Sequence, residues 1–233
     1  MRERIGGRIG RLGRRARIGV GVALLALGAG AAPAALRAQE ADGGRALLQR
    51  AAASRVQGPK GAAVVVYEVG DFECPYCGRF AVDVFPKLDS AYVKTGKVQW
   101  VFMNLPLTMH ANAFPAAEAA LCAGGVAGRF WAMHDRLYAG QAEWSGSAAP
   151  GKIFARYAKE LGLPEAAFEE CVREDRVAPI ILQDALYFSG AGVSGTPSFF
   201  VNNSLAAVGV KGYDEWKQIL DKALQEAAAK KKP

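Results

Sequence analysis

The sequence predicts an α/β fold, a small mixed sheet flanked by helices and interrupted by an all-helical insertion. Three observations carry that expectation. First, the β-branched run Val64–Val69 is followed by a polar turn, a helical stripe and a second β-rich run, Val98–Met103. Second, no convincing strand occurs between about Ala111 and Ala191. Third, sheet character returns at Ser198–Val201, and the turn pair Asn202-Asn203 leads into Leu205–Val210.

The chain has 233 residues, a one-domain length with room for a substantial core. It opens with an Arg-rich segment to Arg17, an apolar run from Ile18 and small residues around Pro33. That order predicts a secretory signal over residues 1–38, cut between Ala34 and Ala38. An uncleaved membrane anchor over Ile18–Leu36 is the competing reading, weakened by Gly19, Gly21, Gly28, Gly30 and Pro33. Arg14-Arg15 has poor twin-arginine flanks, so the export route stays open. The formal charge of +7 comes from this segment: its eight arginines and one acid leave 21 basic and 21 acidic residues from Gln39 onward. A neutral mature chain argues against a nucleic-acid surface.

Residues 39–60 read as one short helix and a linker, with Gly58-Pro59-Lys60-Gly61 as the turn before the first strand. Residues 61–110 form the first half of the sheet unit. After Cys77 the apolar residues Phe80, Val84, Leu88 and Tyr92 recur at helical spacing, and Thr95-Gly96-Lys97 stops the helix. Val98–Met103 is expected to run parallel to Val64–Val69, because a helix joins them. In the insertion, 111–191, helices are predicted at Ala116–Val126, Arg129–Ala139, Lys152–Gly162, Glu165–Arg173 and Val177–Ser189, with Gly124-Gly125 among the punctuating glycines. Residues 192–230 return to the sheet and close with a helix, Tyr213–Ala229, that turns Trp216, Ile219, Leu220 and Leu224 inward. The tail, 231–233, reads as a frayed end.

The chemistry concentrates at Cys74-Pro75-Tyr76-Cys77. Pro75 suits the first helical position, which puts Cys74 at the N-cap beside free N–H groups and the positive end of the helix dipole. That field favours thiolate, so Cys74 is the expected nucleophile and Cys77, one turn in, the resolving thiol. All four cysteines lie past the leader, and an even count in an exported chain suggests disulfides. Cys122 and Cys171 are 49 positions apart in helical segments and read as a structural disulfide or as two free buried thiols. Taken alone, Pro197 reads as a trans proline starting an edge strand, and Glu68 as either a buried acid or a surface acid. Asp71 and Glu73 are expected to be solvated. His134 is read as a packing residue, and His110 is given no chemistry.

At this point the chain resembles the DsbA-like thiol:disulfide oxidoreductases, thioredoxin-fold proteins of the bacterial cell envelope. The resemblance rests on Gly70-Asp71-Phe72-Glu73-Cys74-Pro75-Tyr76-Cys77, on Phe130-Trp131-Ala132-Met133-His134-Asp135-Arg136-Leu137 and on Gly192-Val193-Ser194-Gly195-Thr196-Pro197-Ser198-Phe199-Phe200-Val201-Asn202. It covers about Gly61 to Leu224 and implies a thioredoxin fold with a helical insertion. It implies a cis Pro197 facing the cysteines, with Thr196, Pro197, Pro75 and Tyr76 meeting the substrate. It also implies a buried Glu68 that exchanges a proton with Cys77. Related proteins often carry a second pair such as Cys122 and Cys171. Tyr76 departs from the most oxidising members, which carry histidine there. A Cys74 less acidic than the ~3.5 of DsbA itself is therefore expected.

The function so implied is dithiol–disulfide exchange on exported proteins, in the oxidising direction first. The chain would act as a periplasmic or envelope monomer, without organic cofactor or metal, and be recycled by a membrane redox partner. An envelope reductase or isomerase, and a Cys-x-x-Cys metal chaperone, are the alternatives.

Overall fold

The computed structural model describes residues 34–230, with side-chain surroundings from Asp42 onward. Residues 1–33 of the expected leader and the tail 231–233 lie outside the described residues. Helix α1 (Ala34–Ser54) is longer than the short helix expected and runs across the anticipated boundary at residue 38. No described helix is long and apolar enough to cross a membrane.

Five strands form one sheet in the order β1-β3-β2-β4-β5. They are β1 (Val56–Gln57), β2 (Val64–Gly70), β3 (Val98–Asn104), β4 (Ser198–Val201) and β5 (Ser204–Val208). β2 lies at the centre, parallel to β3 and antiparallel to β4. β1 was not expected; two residues carry no periodicity to read. Asn202 and Asn203 adopt φ of 48° and 70°, the left-handed pair that a tight hairpin needs and that asparagine tolerates. β5 stops at Val208, short of the expected Val210, because Gly209 turns the chain at φ 73°.

Alternation along β2 sends Val64, Val66 and Glu68 to one buried face. That face packs against Phe80, Phe85, Trp100, Phe199 and Trp216, whose neighbouring ring centroids lie 4.6–6.2 Å apart. Burying rings of this size supplies much of the apolar driving force. The helix after Cys74 is not the continuous one expected. It is built from α2 (Pro75–Arg79), a π-helical turn (Phe80–Val84), α3 (Phe85–Leu88) and a second π-helical turn (Asp89–Val93). Pro86 has no N–H to return to the carbonyl four residues back, and the chain widens just before it.

The insertion comprises α4 (Ala113–Ala127), α5 (Phe130–Ala139), α6 (Gln141–Trp144), α7 (Pro150–Glu160), α8 (Glu165–Arg173) and α9 (Ala178–Gly190), and α10 (Tyr213–Lys230) closes the chain. Gly124 and Gly125 do not punctuate anything. They lie inside α4, where a Cβ would meet Ser54 Oγ and the Leu47 side chain, so their lack of one lets α1 pack close against α4. Asp184 of α9 accepts from Arg55 and from the backbone and side-chain amides of Asn104, which fastens the insertion to the end of β3. Cys122 of α4 and Cys171 of α8 are joined as a disulfide, with Cα atoms 5.9 Å apart. Replacing both with alanine is expected to lower the unfolding free energy by ~2–4 kcal/mol while exchange at Cys74 persists. Urea unfolding checks the first point, and an unchanged midpoint would show that the link contributes nothing.

Candidate active site

Gly70 ends β2, and the chain turns through Asp71–Glu73 into the first turn of α2. Cys74 is the N-cap of α2, in extended conformation at φ −69° and ψ 122°. Its N–H donates to Asp71 O at 3.1 Å, and its carbonyl accepts the first helical bond, from Gly78 N at 3.1 Å. The Thr196-Pro197 peptide is cis, and Cys74 Sγ lies 3.4 Å from Thr196 O. The Thr196 hydroxyl is buried, has no nitrogen or oxygen partner, and faces both sulfurs. Cys77 is 0% exposed, and both thiols are free. Pro75 and Tyr76 stand on the rim, with Tyr76 54% exposed and the Arg79 guanidinium 5.2 Å over its ring.

Electrostatics separates the two sulfurs. The Cys77 thiol donates towards Cys74, and the Thr196 hydroxyl and the N–H groups of Cys77 and Tyr76 help; against burial, they bring Cys74 down to about 5. Burial, then the charge on Cys74, holds Cys77 well above the usual thiol range. One cysteine is therefore ionised at neutral pH while the other keeps its proton.

Glu68 lies beneath, 1% exposed, with Oε2 accepting from Trp100 Nε1 at 2.8 Å and Oε1 without a partner. Burial, only partly offset by that bond, pushes Glu68 up to about 8. Tyr138 of α5 stacks on Phe72, with ring centroids 5.0 Å apart, and donates to Asp71 O at 3.3 Å. Burial, then the charges of Cys77 and Glu68, holds its phenol well above the usual range. Glu68 and Cys77 thus lie within electrostatic reach of one buried hydroxyl.

The expectation that Asp71 and Glu73 are solvated is overturned: both are buried, at 1% and 8% exposure. Asp71 accepts from Glu73 N, Leu107 N and His110 Nδ1 at 2.7–2.8 Å. Glu73 accepts from Asn112 N, Gly146 N and Ser145 Oγ at 2.6–3.2 Å. Buried carboxylates are tolerated when donors surround them, and here the donors come from the loop before the insertion and from the insertion itself. Gln141 of α6 reaches the same turn, donating from Nε2 to Phe72 O at 2.7 Å and Cys74 O at 3.0 Å. No sequence motif marked these partners, since none has a fixed spacing from Cys74. His134 is buried in the aromatic core and paired with Asp135 at 2.9 Å. Among the described residues no three His, Cys, Asp or Glu side chains cluster as a metal site.

A profile of the family described as Thioredoxin matches residues 50–222. The chain is 41% identical over 148 residues to a protein named Na(+)/H(+) antiporter NhaA 1 from Salinispora arenicola; the match covers 63% of this chain and 21% of that protein. The chain thus spans about a fifth of that relative's length. It is 28% identical over 172 residues to a probable disulfide bond formation protein D from Bacillus anthracis, covering 72% of this chain and 77% of that one. Its fold is similar to the crystal structure of alpha-DsbA1 from Wolbachia pipientis, at TM-score 0.69 and 22% identity, over 76% of this chain and 94% of that chain.

Proposed function

The chain belongs to the thioredoxin family, and from that premise we propose that it is a DsbA-like thiol:disulfide oxidoreductase that introduces disulfides into exported proteins. The observation that carries the reading is the pairing of an ionised Cys74 at a helix N-cap with a protonated, fully buried Cys77, opposite the cis Thr196-Pro197 peptide.

In the oxidising direction a substrate thiolate attacks Cys74 Sγ of the Cys74–Cys77 disulfide. The S–S bond breaks, a mixed disulfide forms at Cys74, and Cys77 leaves as thiolate. Burial makes that thiolate costly, and the neutral Glu68 carboxyl supplies a proton for it. A second substrate thiolate then attacks the substrate sulfur of the mixed disulfide. Cys74 leaves already stabilised as thiolate, the substrate gains a disulfide, and two electrons rest on the enzyme. Thr196 and Pro197 hold the substrate backbone, with Pro75 and Tyr76 on the rim. Reoxidation falls to a membrane redox partner. The Arg-rich, apolar and small-residue order of residues 1–38 supports work outside the cytosol.

Linkage supports the oxidising direction. Lowering Cys74 from 9.0 to about 5 stabilises the reduced form at pH 7. The gain is fully present only above the ordinary thiol pKa and is lost as pH falls through 5. At pH 7 it comes to ~2.7 kcal/mol, or ~60 mV towards a more oxidising couple. Titration against glutathione buffers tests this. A potential above about −230 mV is expected, and one at or below about −270 mV would make the protein a reductant.

A further inference from the structure

We propose that Gln141, at the start of α6 in the helical insertion, is the positioning residue for the nucleophile: its side-chain amide holds the turn that presents Cys74. The inference rests on the functional reading of Cys74 and goes beyond it, because it places control of the reactive sulfur outside the thioredoxin core.

The Gln141 amide reaches two carbonyls, Phe72 O at 2.7 Å and Cys74 O at 3.0 Å. Both are acceptors only, so the nitrogen must face them. The peptide between Phe72 and Glu73 is thereby gripped at both ends, its carbonyl by Gln141 and its N–H by Asp71 Oδ1 at 2.7 Å. The Cys74 carbonyl takes two donors, Gln141 Nε2 and Gly78 N. This carbonyl points away from the N–H groups of Tyr76 and Cys77 that help stabilise the sulfur. Holding it therefore holds the orientation of the N-cap, and the amide hydrogens add positive potential beside it.

Gly78 is shaped to admit the amide. A Cβ there would stand 2.7 Å from Gln141 Oε1, 3.2 Å from Cδ and 3.3 Å from Nε2. The amide lies over the first turn of α2, in the space a larger residue would fill. Gly78 and Gln141 are 63 positions apart, and only the docking of the insertion brings them together.

Three variants test the proposal: Gln141→Met, which keeps length and removes the donors; Gln141→Lys, which keeps a donor; and Gly78→Ala, which displaces the amide while improving helix propensity. The readout is the pH dependence of iodoacetamide labelling at Cys74 in the reduced protein, with melting temperature recorded separately. In Gln141→Met, labelling at pH 5 is expected to fall at least about twofold, equivalent to a rise of half a unit in the midpoint. Gly78→Ala should shift in the same direction without loss of melting temperature, and Gln141→Lys should label at or below the wild-type midpoint. If Gln141→Met and Gly78→Ala label like the wild type at every pH, the amide is only a structural brace and the proposal is overturned, whatever the melting temperatures. Wild-type labelling that begins at Cys77 would instead overturn the functional reading itself.

Discussion

Replacing Cys74 with serine is expected to lower thiol–disulfide exchange by at least about a thousandfold, because the only ionised sulfur of the site is gone. A serine hydroxyl at the same N-cap stays protonated at any pH the protein survives, and the field that stabilises a thiolate has nothing to act on. Cys77→Ser is expected to behave differently. Cys74 still attacks substrate disulfides, but no second thiol resolves the product, so mixed disulfides accumulate. Insulin reduction, thiol-peptide oxidation and non-reducing gels separate the two variants. Full activity in Cys74→Ser would remove the nucleophile from the mechanism.

Glu68→Gln should produce the largest change in the pH dependence of stability. The carboxyl titrates near 4.5 when unfolded and at about 8 in the fold. Below pH 4.5 both states hold the proton and folding is not taxed by it. Between 4.5 and 8 only the unfolded chain releases it, so the contribution of Glu68 to stability falls with each unit of pH, and above 8 the loss stops. The full span is on the order of 4–5 kcal/mol. Glutamine cannot ionise and its oxygen can still accept from Trp100 Nε1, so the variant should match the wild type near pH 4 and exceed it by several kcal/mol at pH 8. It should also slow the exchange step in which Cys77 takes up a proton. Chemical denaturation of the reduced proteins from pH 4 to 8 measures the slope. Cys74, lowered to about 5, tilts both reduced profiles the other way, so the difference between variant and wild type is the test. A difference that does not change with pH would show that Glu68 is not held neutral by burial.

How much of this was legible depends on whether the signal was local. The run Val64–Val69, the helical stripe after Cys77 and the Asn202-Asn203 turn each encode structure through neighbours in sequence, and the fold and Cys-x-x-Cys placement followed from them. The breaks in the cysteine helix were local too, but Pro86 sits within an otherwise good apolar stripe, and periodicity alone does not reveal a widened turn. Asp71 and Glu73 were misjudged for a different reason. A carboxylate in a turn reads as solvated, and the donors that bury them, at Leu107, His110, Asn112, Ser145 and Gly146, lie 36 to 73 positions away.

The order of the longer strands and helices, the cysteine at a helix start and the acid on the strand before it were written in the sequence alone, because propensity, periodicity and capping act over a few residues. Only the tertiary structure decided that Glu68 is sealed among aromatic rings, that Thr196 faces both sulfurs and that the insertion grips the Cys74 turn. Burial and hydrogen-bond satisfaction depend on which distant segments pack together, and no single stretch of chain contains that information.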